Sequence, residues 1–91
     1  MGYSYPIDPS WTRDELLSVM ALFQIVEKAY EKGAAREEVA AAYRHFSSFG
    51  FSKAELKQLD RDFMKVSGYS IYRVIKACQD GEKFIRLKVK A

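Results

Sequence analysis

Residues 12–33 read TRDELLSVMALFQIVEKAYEKG, and the fold class follows from this stretch. Thr12-Arg13-Asp14-Glu15 is a capping box: the threonine hydroxyl accepts from the third amide while the glutamate reaches back to the cap amide. Leu16, Val19, Phe23, Val26 and Tyr30 then recur at helical spacing, and Leu17, Met20, Ala21 and Ile25 widen the stripe. A face this wide predicts a central helix touched by more than one element. Gly33 supplies the stop, so the helix is expected over residues 12–32.

On the C-terminal side, Val39, Tyr43 and Phe46 share one face of a second helix expected from Arg36 to Phe46 or Ser48. Phe49-Gly50-Phe51 reads as a turn with apolar anchors. A second capping box, Ser52-Lys53-Ala54-Glu55, opens a third helix, whose Leu56, Leu59, Phe63 and Val66 repeat up to a stop at Gly68. A shorter fourth helix begins near Ser70, ends before Gly81, and turns Ile71, Val74, Ile75 and Cys78 inwards. On the N-terminal side, Pro6 and Pro9 hold residues 1–11 extended. Tyr3, Tyr5, Ile7 and Trp11 are expected to pack this lead-in across the helices.

The last ten residues, 82–91, alternate Ile85, Leu87 and Val89 with Arg86, Lys88 and Lys90, a period of two. A lone strand in a helical chain has no evident ladder partner. It is expected to be disordered or loosely packed, or to pair with its own copy in a dimer. The fold expected is all-α: a compact, irregular array of four helices over residues 1–81, with an extended lead-in and a basic tail.

The totals agree with this architecture and exclude several functions. A chain of 91 residues and 10.5 kDa holds one domain, and 48% hydrophobic with 30% charged residues is globular composition. A domain this small must bury most of its large apolar residues, which leaves few aromatics to line a cofactor pocket. One cysteine, Cys78, and one histidine, His45, allow no internal disulfide and no ordinary metal set. No cofactor is expected. The longest strongly apolar run, Leu16 to Val26, is too short to span a bilayer, so a soluble cytoplasmic protein is expected. Residues 1–50 balance at −2 and residues 51–91 at +5, so the net +3 belongs to the C-terminal half.

Tyr3-Ser4-Tyr5-Pro6-Ile7-Asp8, Ser10-Trp11, Val26 to Gly33, Tyr43-Arg44, Ser52-Lys53-Ala54-Glu55 and Ser67-Gly68-Tyr69-Ser70-Ile71-Tyr72 occur here in order. Together they resemble the YktA-like uncharacterised proteins of Gram-positive bacteria, over about residues 3–78. The resemblance implies a small all-helical cytoplasmic protein. It brings no activity, cofactor or catalytic residue.

No catalytic residues are expected: His45 reads as a boundary or surface histidine, and Cys78 as a small buried hydrophobe. Ser67-Gly68-Tyr69-Ser70 precedes a helix whose free amides could hold a small anion, with Arg44 and Arg73 adding charge and Tyr43, Tyr69 and Tyr72 adding hydroxyls. The competing reading is a packed helix–helix corner. Lys53, Lys57, Arg61 and Lys65 line one face of the third helix and invite a nucleic-acid reading, although no nucleic-acid motif is present. The leading expectation is a non-enzymatic protein-interaction or regulatory module whose partner is another protein or a second copy. Nucleic-acid binding through the basic row and tail is the alternative, and an anionic ligand at the Ser67–Arg73 corner the second.

Overall fold

A computed structural model describes residues 3–89. Four helices carry the fold: α1 (Arg13–Glu31), α2 (Arg36–Ser47), α3 (Lys53–Ser67) and α4 (Ile71–Gln79). Two short strands, β1 (Ala34–Ala35) and β2 (Phe84–Ile85), pair antiparallel, with Ala34 opposite Ile85.

Both capping boxes form. Thr12 accepts from the Glu15 amide and Ser52 from the Glu55 amide, while each glutamate returns to the cap amide at 2.8 and 2.9 Å. Gly33 and Gly68 end α1 and α3 with positive φ angles of 95° and 81°, a backbone that L side chains avoid. At Gly33 the amide closes on the Lys28 carbonyl at 2.7 Å, and the Phe84 ring occupies the space a Cβ would need.

The helices bury one continuous core. Val19, Leu22, Phe23 and Val26 of α1 are fully enclosed, as are Val39, Phe63, Ile71 and Val74 from the other helices. The expected stripe of α1 is buried at Val19, Phe23, Val26 and Tyr30; Leu22 joins it unforeseen, whereas Leu17 is half exposed. Val66 of α3 also faces outwards. α1 and α3 are held apart by large rings, with Phe23 stacked on Phe63 at 4.5 Å and 11°. α2 lies against α1 and α4 rather than against α3, its successor in sequence.

The lead-in crosses this body. Tyr5 packs on Phe23 at 5.2 Å, Tyr3 meets Phe63 edge-on at 6.3 Å, and Trp11 meets Phe51 edge-on at 6.1 Å. Ile7 departs from expectation and stays 48% exposed.

The tail corrects the sequence reading. β2 has a partner within the chain, because the two alanines after Gly33 run extended before α2 begins. Their small side chains let the tail approach closely enough to bury Ile85 almost completely. Beyond β2, the Leu87 amide donates to the Ala29 carbonyl at 3.0 Å. The tail is therefore docked through Leu87, and the half-exposed Val89 lies beside Gly68. Lys90 lies outside the described residues.

Candidate functional site

The free amides at the α4 N-terminus are taken by an anion from the chain itself. Asp60, two turns into α3, turns Oδ1 onto the amides of Ile71 (2.6 Å) and Tyr72 (3.3 Å). The same oxygen accepts from the Ser70 hydroxyl at 3.3 Å, and Ser70 Oγ accepts from the Arg73 amide at 3.2 Å. A carboxylate on free helix-end amides satisfies both their hydrogen bonding and the helix dipole. α4 has no acidic residue in its own first turn, so α3 provides one. This corrects the anionic-ligand reading of Ser67–Arg73, because the amides it needs are already bonded.

The corner is built around these bonds. Ser67 Oγ accepts from the Tyr69 amide at 3.0 Å and donates to the Phe63 carbonyl at 2.6 Å. Tyr69 stacks on Tyr30 at 4.6 Å, and its hydroxyl donates to Glu31 at 2.9 Å. The Tyr30 hydroxyl accepts from the Ser70 amide at 3.2 Å. Tyr72 is half-buried, and the exposed Arg73 reaches the Lys88 carbonyl at 3.5 Å. Tyr43 and Arg44 do not join this corner. They face Ile75, Cys78 and Gln79 on later turns of α4.

Sequence reasoning missed a second polar centre. Glu27 of α1 is only 6% exposed, and both of its carboxylate oxygens accept tyrosine hydroxyls. Tyr5 donates to Oε1 at 2.6 Å and Tyr3 donates to Oε2. Burial, followed by the hydrogen bond to Glu27, pushes the Tyr5 phenol up from 10.0 to about 12 and raises Tyr3 as well. Tyr69 is raised by burial and by its bond to Glu31. These tyrosines therefore act as neutral hydrogen-bond donors. The signal lay in the lead-in, since two phenols packed across helices need an acceptor beneath them.

Among the described residues, every buried side-chain nitrogen and oxygen has a hydrogen-bond partner, and no cluster of histidine, cysteine and acidic residues could hold a metal. His45 is exposed, its ring 5.5 Å from Phe49. Cys78 is half-buried rather than fully enclosed, with Sγ 3.7 Å from the Arg36 carbonyl. Lys53, Lys57, Arg61 and Lys65 are all exposed on the outer side of α3.

Two of the surface clefts lie along helices that carry candidate residues. One, of about 360 Å³, runs between α2 and α4: Val39, Ala40, Ile75 and Cys78 form an apolar floor, and Tyr43, Arg44, Ser47 and Gln79 edge it. Its lining includes no carboxylate or imidazole. The other, of about 410 Å³, lies beneath the lead-in against α3. Among the described residues no helix is long and apolar enough to cross a membrane.

Comparison with known proteins gives a consistent kinship. The profile described as "Uncharacterised protein family (UPF0223)" matches residues 2–86. A UPF0223 protein of Bacillus cytotoxicus is 43% identical over 83 residues, covering 91% of this chain and 93% of the relative. One of Oceanobacillus iheyensis is 43% identical over 88 residues, covering 96% and 100%, and one of Streptococcus gordonii 44% over 82 residues, covering 90% and 89%. These are Gram-positive genera, as the sequence resemblance implied.

Proposed function

Since the chain belongs to UPF0223, an uncharacterised protein family, we propose from its geometry that it is a non-enzymatic, cytoplasmic interaction module. The observation that carries this reading is the cleft between α2 and α4, apolar at its floor and edged by Tyr43 and Arg44. Aromatic and arginine side chains beside a desolvated apolar floor are the usual composition of a protein-binding hot spot. Tyr3, Tyr5 and Tyr69 are bonded to Glu27 and Glu31, and Asp60 is bonded to the helix-end amides of α4.

The test is affinity capture from host-cell lysate with the wild-type chain and with Ala40→Glu, which places a charge on the cleft floor. A protein retained by the wild type and lost from the variant, with both chains melting alike, supports the reading. Identical retention of every captured protein by both chains overturns the assignment of binding to the α2–α4 cleft, and no protein retained by either chain overturns the module reading.

A second reading is favoured by one observation. Asp60 is turned into the α4 N-terminus, which leaves Lys57, Arg61 and Lys65 without that acid as a neighbour on the outer face. Nucleic-acid binding by this row would weaken steeply with salt, and filter binding at low and physiological salt checks it. Salt-independent or absent retention of duplex and single-stranded probes removes this reading.

A further inference from the structure

The lead-in is fastened at both ends and stands off the body between them. Tyr3 and Tyr5 fasten one end to Glu27, and Trp11 fastens the other against Phe51. Residues 6–9 bridge the gap, leaving the cleft of about 410 Å³ with Leu59 and Phe51 in its lining and the half-exposed Ile7 on the bridging segment. A second hollow of about 330 Å³ shares Asp8, Trp11, Phe51 and Glu55 with it.

The charge around these hollows is one-sided. Asp8, Glu55 and Asp62 line the first, and Glu15 extends the series into the second. No lysine or arginine lines either one, although the whole chain carries a net charge of +3. Glu15 and Glu55 each commit Oε1 to a helix-cap amide, which fixes the carboxylate in place without neutralising it. Asp8 is held by the Ser10 amide at 2.9 Å, and that bond keeps its carboxyl below the ordinary range and so ionised. Trp11 and Phe51 present rings beside these acids, and a ring face adds attraction for a desolvated cation.

We propose that the cleft beneath the lead-in docks a basic segment of a partner protein in which lysine or arginine alternates with apolar residues. The cationic side chains lie along Trp11 and Phe51 towards Asp8, Glu55 and Asp62, and an apolar side chain settles on Leu59 and Ile7. Opposite charge selects the partner and speeds encounter, while the apolar floor retains it. The inference rests on the reading of the chain as an interaction module but uses a different face from the α2–α4 cleft.

Trp11 is the chain's single tryptophan, so its emission reports directly on this cleft. The full chain is titrated with an amidated peptide of alternating lysine and leucine, and with its glutamate–leucine counterpart. The expected result is a saturable shift of Trp11 emission with the basic peptide alone, weakening by about tenfold or more from low to high salt. Asp62→Lys should weaken binding by about tenfold or more and Asp62→Asn by less, because Asp62 meets only the Gln58 amide and its loss should leave melting unchanged. Four results overturn the proposal: no saturable response, an equal response to the acidic peptide, unweakened binding by Asp62→Lys, or an emission shift that follows protein concentration without peptide. In lysate capture, a partner lost from Ala40→Glu but kept by Asp62→Lys overturns this site alone and leaves the module reading standing.

Discussion

Asp60 illustrates how a single side chain settles what a helix end can do. Its Oδ1 meets two amides and a hydroxyl at the start of α4. Asp60→Ala leaves those donors without their charged acceptor, and the expected cost is about 2–3 kcal/mol in urea unfolding. Asp60→Asn keeps an acceptor oxygen and should cost less. The tyrosines carry a pH signature. Tyr3, Tyr5 and Tyr69 have folded-state values raised above the ordinary 10.0, so their neutral forms are favoured by folding. Their stabilisation is complete below pH 10 and is lost as pH rises through the raised values, for Tyr5 near 12. Tyr5→Phe should flatten this alkaline loss in denaturation followed against pH, at the expense of stability near neutrality. Neither Asp60 nor Glu27 was legible as structural in the sequence. Charged side chains on helices are ordinarily solvated, and each is held here by a donor distant in the chain: Tyr5 lies 22 residues from the buried Glu27, and Ile71 lies 11 from the half-buried Asp60.

At the level of elements, the helices were legible and the tail was not. Two capping boxes and two positive-φ glycines mark starts and stops by local chemistry, which needs no knowledge of the rest of the chain. The edges of the α1 face were less legible than its centre, because an apolar residue lies in nearly every row from Leu16 to Val26 and only packing selects Leu22 over Leu17. The partner of β2 was hidden for another reason: two alanines have no strand propensity, and only the turn at Gly33 holds them extended. Ile85 is the tail's anchor, with 1% of its surface exposed. Ile85→Ala should cost about 2–4 kcal/mol, or roughly 10–25 °C in melting temperature for a domain of this size. A change under about 0.5 kcal/mol in chemical denaturation would show that the tail's docking contributes little. Gly33→Ala tests the turn itself: its backbone lies at φ 95° and its missing Cβ makes room for Phe84, so a loss of about 1–2 kcal/mol is expected.

Across the whole molecule, the same few rings join parts distant in sequence. Phe63 of α3 touches Phe23 of α1, Tyr3 and Tyr5 of the lead-in, and Tyr69 of the corner. No part of the body has a core of its own, so unfolding should be one transition. Far-UV circular dichroism and Trp11 fluorescence should therefore report coincident midpoints. An earlier fluorescence midpoint would show the lead-in releasing separately. The helical body was legible from the apolar period, whereas the gap beneath residues 6–9 was not, because it depends on the separation between two anchoring points. The docked tail has a topological consequence. Tyr3 rests on Phe63 and Val89 lies beside Gly68, so the lead-in and the tail both come to the C-terminal end of α3. A short linker could then join them into a ring, and the ring could be cut at Gly50, where a Cβ would meet no atom within 4 Å. The chain order would be rewritten while the packed body remained the same.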